Sequence, residues 1–198
     1  MPVCKKPSYF PMLSQLSVRR IFLSLLGVCA AASAIAAEIT VEQASTRLVD
    51  KTYLLDANIK FDLGNEALNA LNHGVPLYIV IDAKVERERD YLWDATVAKT
   101  QQVYRLDRHA LTNHYLLIDQ NSGFQQHFLS LDHATHALGK VVGYPLLPSN
   151  MIQGGYRYIG RMRARLDIEA LPAPMRPMAY VSSTWRLSSP WYEWTIAP

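Results

Sequence analysis

The chain has 198 residues, 49% of them hydrophobic and 19% charged, with a formal net charge of +3. That length suits one domain with a core of its own. The positive excess sits in residues 1–37, which hold Lys5, Lys6, Arg19 and Arg20 and no Asp or Glu, so the remainder is close to neutral and nucleic acid is not an expected partner.

Residues 1–37 read as a secretory signal peptide. A basic start is followed by the uncharged run "IFLSLLGVCAAASAIAA" over residues 21–37, which ends in small residues. Cleavage is expected after Ala34-Ile35-Ala36 or one residue later. The run is too short and too rich in Ala and Ser for a membrane span, so the cleaved product is not an integral membrane protein. "RRIFL" resembles a twin-arginine signal, but Val18 stands where Ser or Thr is preferred. "LGVC" resembles a lipoprotein box, but Val28 is a poor residue before the cysteine. An ordinary cleaved signal and a periplasmic product are therefore expected over either route. Translation starts at Met1 or at Met12. Both cysteines, Cys4 and Cys29, fall in this leader, which leaves residues 38–198 without a disulfide, a Cys nucleophile or a Cys metal ligand.

Residues 38–63 read as two extended runs. "GNEALNALNHG" (64–74) spaces Ala67, Leu68 and Leu71 as a short helix and stops at His73-Gly74. Residues 75–93 form a long strand with Ile79, Ile81, Ala83 and Val85 on one face and Asp82, Lys84, Glu86 and Glu88 on the other. Residues 95–111 alternate again. Residues 114–130 make a hairpin turning at "QNSG". A second helix is expected over 130–141, with Ser130 as its N-cap. "GYPLLPSN" (143–150) reads as a loop.

In "YRYIGRMRARLDIE" (156–169), Tyr156, Tyr158, Met162, Ala164, Leu166 and Ile168 share one parity. Arg157, Arg161, Arg163, Arg165, Asp167 and Glu169 share the other. A period of two predicts a half-buried antiparallel strand with the arginines on a solvated face. Asp82, Glu86, Glu88 and Asp90 offer matching charges on the strand before it. Arg157, Arg161, Arg163 and Arg165 are also the candidate anion or partner face. "LPAPMRP" (171–177) predicts an extended, polyproline-like crossover between sheets. The chain closes with a strand, a break at Pro190 and a second short strand. The whole predicts a mainly β fold, an antiparallel β-sandwich, immunoglobulin-like in broad architecture, with two short helices. A transmembrane barrel is disfavoured by the charged strand faces and by the helices.

Four segments carry a family resemblance: "ALNHGVPL" (70–77), "HALTNHYLL" (109–117), "RARLDIEALPAPMRP" (163–177) and "WRLSSPWYEW" (185–194). Together, from about Leu55 to Trp194, they resemble the DUF4390 family of exported proteobacterial proteins. The resemblance implies an exported domain of unknown function and brings no catalytic residues. Members are often encoded near a membrane sensor histidine kinase, which implies a periplasmic protein partner of that kind. The family pattern has no fixed histidine pair at His133 and His136.

Three groups remain as candidate sites. His133 and His136 lie three apart on the second helix, beside Asp132, and with His127 as a third ligand they could chelate a divalent metal. Solvated histidines on the outer side of a helix are the simpler reading. Trp185, Trp191 and Trp194, with Tyr192, serve either as core and edge packing or as a partner surface. Enzyme chemistry finds little support. The serines of "VSST" and "LSSP" lack nucleophile-elbow glycines, Gly154-Gly155 precedes a strand rather than a helix, and no phosphate loop is present. A spatial carboxylate pair such as Glu86 and Asp167 stays open. The sequence thus favours an exported, non-enzymatic binding module without a cofactor over a ligand- or metal-binding protein or enzyme built on His133 and His136.

Overall fold

The computed structural model describes residues 38–89 and 93–197. The expected signal peptide (1–37) and Asp90 lie outside these residues. Nine strands form two antiparallel sheets: β1 (Ile39–Val49), β2 (Thr52–Phe61), β3 (Leu77–Arg87), β4 (Ala95–His109), β5 (His114–Asp119), β6 (Gln125–Phe128), β7 (Lys140–Pro148), β8 (Tyr158–Leu166) and β9 (Tyr192–Ile196). The smaller sheet has the order β1-β2-β7, the larger β6-β5-β4-β3-β8-β9. Among the described residues three helices accompany them: α1 (Gly64–Asn72), α2 (Leu131–Gly139) and α3 (Arg176–Val181). The fold is mainly β and sandwich-like, as expected. Among the described residues no helix is long and apolar enough to cross a membrane.

Local chemistry explains the connections. β1 and β2 join through Asp50 and Lys51, both at positive φ (45° and 65°), the backbone of the two-residue turn whose twist matches the strands it links. The β5–β6 turn is organised by Asp119, which accepts hydrogen bonds from the Asn121 amide (2.9 Å) and the Ser122 hydroxyl (2.7 Å). Ser130 is the N-cap of α2 and accepts from the His133 amide at 3.3 Å.

The inner faces follow the parity read from the sequence. Ile79, Ile81, Ala83 and Val85 of β3 are buried against the rest of the core, as are Tyr158, Met162, Ala164 and Leu166 of β8. Tyr53, Leu55, Ala57 and Ile59 of β2 face them from the smaller sheet. α2 packs on β2, β5 and β7, burying Ala134 and Leu138 and closing the sandwich beside β1–β2.

Three segments differ from expectation. The loop expected at 143–150 is mostly strand: β7 pairs with β2 and buries Leu146 and Leu147. Pro145 and Pro148 fit because β7 is an edge strand, where a missing N–H on the open side costs no ladder bond, and the register shifts twice along this pair. The crossover expected to be extended at 171–177 is a turn that runs into α3, with Pro177 in the first helical turn. A proline there lacks only a donor that the helix would have left unpaired. The strand expected after Tyr180 is the end of α3, a 3-10 turn over Ser183–Trp185 and a single bridge from Ser188 to Arg165. Burial of Ala179, Trp185 and Leu187 produces the alternation that resembled a strand.

Candidate functional site

On the face of the larger sheet turned away from the sandwich, β8 carries Ile159, Arg161, Arg163 and Arg165. Register sets Arg163 opposite Asp82, and Arg161 opposite Lys84 and diagonal to Glu86. Arg163 and Arg165 both donate to Asp82 Oδ2, at 3.1 and 3.3 Å, and the Gln101 amide donates to its other oxygen at 3.0 Å. Arg161 binds Glu86, Glu193 (2.7 Å) and Asp94 (3.5 Å), and Lys84 reaches Glu86 at 2.8 Å. Trp191, 38% exposed, lies over both Lys84 and Arg163, with charge-to-centroid distances of 5.0 and 4.6 Å.

The pairing expected from the matching charges of Asp82 and Glu86 is present, but the face is less solvated than expected. Asp82 and Glu86 are only 4% and 6% exposed. Burial alone would raise the pKa of the Asp82 carboxyl, but the hydrogen bonds from Arg163 and Arg165 outweigh it and hold the group below the usual range. The same balance, with Lys84 and then Arg161 as partners, holds Glu86 down. Lys84, Arg161, Arg163 and Arg165 stand against Asp82, Glu86, Asp94 and Glu193, so the positive charge is spent internally. Arg157 is separate, exposed and paired with Glu88 at 2.8 Å. The geometry makes this face a stabilising ion-pair lattice rather than an anion site.

A pH dependence follows. Asp82 and Glu86 titrate lower in the fold than in the unfolded chain, where Asp and Glu take protons near pH 3.9 and about 4.3. So does Asp56, held down by Arg47 at 2.6 Å and by the Gly143 amide at 2.7 Å. A lowered folded pKa gives stability that is fully present above the unfolded pKa and is lost as pH falls through the folded one. Melting temperature is therefore expected to hold between neutrality and roughly pH 5 and to fall steeply below roughly pH 4. Thermal melts across that range check this; a decline that begins near pH 6 would point to histidines instead.

The three tryptophans do not share a surface. Trp185 is 7% exposed and belongs to the core. Trp194 pairs with Gly160 across β8–β9 and faces the smaller sheet, where its indole N–H lies 3.4 Å from Thr46 Oγ1. Trp191 alone sits on the outer lattice. Glu86 and Asp167 are also apart: the Asp167 amide donates to Tyr78, eight residues along β3 from Glu86, or about 26 Å at the rise of a strand. The proposed histidine triad is likewise divided. His127 pairs with Leu116 on the outer face, whereas His133 and His136 lie on α2, on the inner side of the same sheet. Among the described residues no group of three metal-ligating side chains surrounds a common point.

His136 instead lines a groove of about 500 Å³ between α2 and the β1–β2 ladder. Asp132, Thr135 and Gly139 come from the same helix face; Asn58, Ile59, Lys60 and Phe61 come from β2, Glu42 from β1 and Lys140 from the start of β7. Two features of the ladder make it. Glu42 is the extra residue where register shifts between Val41 and Gln43, a bulge that re-aims its side chain. β7 pairs with β2 only as far as Asn58, so Ile59–Phe61 extend past it and leave a short stretch of strand edge beneath α2. Gly139 closes one end, so near that a Cβ there would lie 2.0 Å from the Ile59 carbonyl oxygen. The groove offers two lysines and a histidine, two carboxylates and the Phe61 ring. Sequence reasoning reached Asp132 and His136 but missed Glu42, Lys60, Phe61 and Lys140, which converge from three strands and share no local motif.

No curated protein and no solved structure matches this chain. A family model matches residues 36–195, most of the chain, in agreement with the resemblance carried by the four segments above. The chain therefore belongs to DUF4390, a domain of unknown function.

Proposed function

We propose that this protein is an exported, periplasmic, non-enzymatic binding module that takes an extended segment of an envelope protein in the α2 groove. The observation that carries the reading is the groove between α2 and the β1–β2 ladder, into which Lys60 and Phe61 of β2 extend beyond the last β7 pair. A groove along the end of a strand, with side chains of alternating chemistry, suits an extended peptide. Lys60 and Lys140 would pair with acidic side chains on that segment, Glu42 and Asp132 with basic ones, and Phe61 supplies apolar contact. The basic leader with its apolar run and small-residue end supports export with a cleaved signal. A membrane sensor histidine kinase is the partner class implied by the family resemblance.

The test replaces two exposed cations. The protein is expressed in its own host with a photo-crosslinking side chain at Thr135, in the native background and with Lys60→Glu plus Lys140→Glu. Irradiation is expected to join the native background to one envelope protein, and the charge reversals to reduce that adduct about tenfold or more, the size expected for like charges set against an acidic segment. Equal adducts in both backgrounds, with equal melting temperatures, would refute the groove as the binding site.

A further inference from the structure

Residues 172–181 turn their apolar side chains outwards. Leu171 and Ala179 are buried and Met175 packs against the core, which fixes the inward side of the turn and of α3. The exposed residues of the segment are 172–174 (Pro, Ala, Pro), Pro177, Met178, Tyr180 and Val181, none of them charged. Met178 and Val181 are 74% and 82% exposed. They lie three apart on α3 and so stand together on its outer face. Contiguous exposed apolar surface of this kind marks a place of contact with a partner or a membrane. Cations frame it. Arg176 donates to the Leu171 carbonyl at 2.7 Å and Arg186 to the Tyr180 carbonyl at 2.9 Å. Among the described residues neither guanidinium pairs with a carboxylate, whereas Arg161, Arg163 and Arg165 of β8 all do. Glu169 accepts from the Tyr180 hydroxyl instead, which sets two cations against one anion around the apolar residues.

We propose that α3 and the turn before it form a membrane-contact surface for an anionic phospholipid bilayer. Met178 and Val181 enter the interface, Arg176 and Arg186 meet lipid phosphate groups, and Tyr180 sits at the boundary with water. Charge complementarity selects this occupant, because the surplus of charge beside the apolar residues is positive and the surface of such a bilayer is negative. The guanidinium group suits phosphate in particular: it presents several N–H donors in a plane and is weakly hydrated. Apolar side chains this exposed protrude, and a soft medium closes round a protrusion without needing a matching recess. A tyrosine has one apolar and one wet end, the combination favoured at a membrane interface. The apolar area is small, so the contact is reversible and needs both insertion and charge. It uses none of the residues that line the α2 groove, so it stands or falls apart from the function proposed for that groove.

The experiment is flotation of the protein, purified from its own host, with vesicles of phosphatidylethanolamine and phosphatidylglycerol and, separately, of phosphatidylcholine. The native chain is expected to rise with the anionic vesicles, and to do so less with phosphatidylcholine or in high salt. Met178→Glu plus Val181→Glu is expected to lower the bound fraction about tenfold or more, since it removes the inserted apolar groups and adds charge of the wrong sign. Met178→Leu plus Val181→Leu should keep binding, and Arg186→Gln should weaken it on the anionic vesicles alone. Because Met178 and Val181 are exposed, both pairs should melt as the native chain does, which separates a lost contact from a lost fold. Lys60→Glu plus Lys140→Glu, which alters the groove, should float like the native chain. The proposal is overturned if the native chain stays behind with both kinds of vesicle, if it rises equally with both, or if the Met178→Glu/Val181→Glu variant floats as well as the native chain.

Discussion

Replacing Gly139 with alanine is expected to destabilise the protein by about 3 kcal/mol or more, beyond the usual cost of overpacking because the obstacle is backbone. A Cβ at this position would lie 2.0 Å from the Ile59 carbonyl oxygen and 3.1 Å from its carbon, and neither can rotate away as a side-chain tip would. Relief requires α2 to lift from β2, which loosens the seats of the buried Ala134 and Leu138. Gly139 has no positive φ, so the effect is steric and not conformational. Denaturant unfolding measures it. A loss below about 1 kcal/mol, inside the ordinary range for point changes, would show that the helix is not in fact pressed against the strand. The substitution is also expected to deform the groove, because Gly139 is part of its wall.

Asp82→Ala is expected to cost about 2–4 kcal/mol. Removing one partner of a buried charge cluster commonly costs about 3–5 kcal/mol, and the range is lowered here because the Arg163 and Arg165 side chains keep 35% and 31% of their exposure and can turn towards water. Arg163→Ala alone should cost far less, about 1 kcal/mol or below, because Arg165 and Gln101 still serve Asp82. The two arginine substitutions together should cost more than the sum of the two separately, since only then is the carboxylate left without a cation. Strict additivity in that cycle would mean that the two guanidinium groups do not share Asp82.

The parity of β8 was legible because burial on one face leaves a period of two in any strand. The matching charges at Asp82 and Glu86 were legible as well; which arginine meets which carboxylate, and how deeply, was not, because register across β3–β8 decides it. That is why a face read as solvated proved to be a half-buried lattice. Proline misled in two places for a related reason. At Pro145 and Pro148 it sits on an edge strand, and at Pro177 in the first turn of a helix, two settings where the missing donor is not needed and the local signal resembles a break. The α2 groove was legible only in part: Asp132 and His136 share a helix face four residues apart, while Glu42, Lys60 and Lys140 arrive from the bulge and ends of separate strands.

The mainly β class, the hairpins, both principal helices, the inward faces of β3 and β8 and membership of the family can be read from the residues alone, because each is written in contacts between residues close along the chain or in the order of short motifs. Folding in three dimensions settles which arginine meets which carboxylate, puts Trp185, Trp191 and Trp194 in three different environments, and sets His127 on the other face of the sheet from His133 and His136. Those outcomes depend on strand order and register, and a chain fixes both by burying its core, with no record in the spacing of the polar residues that are carried along.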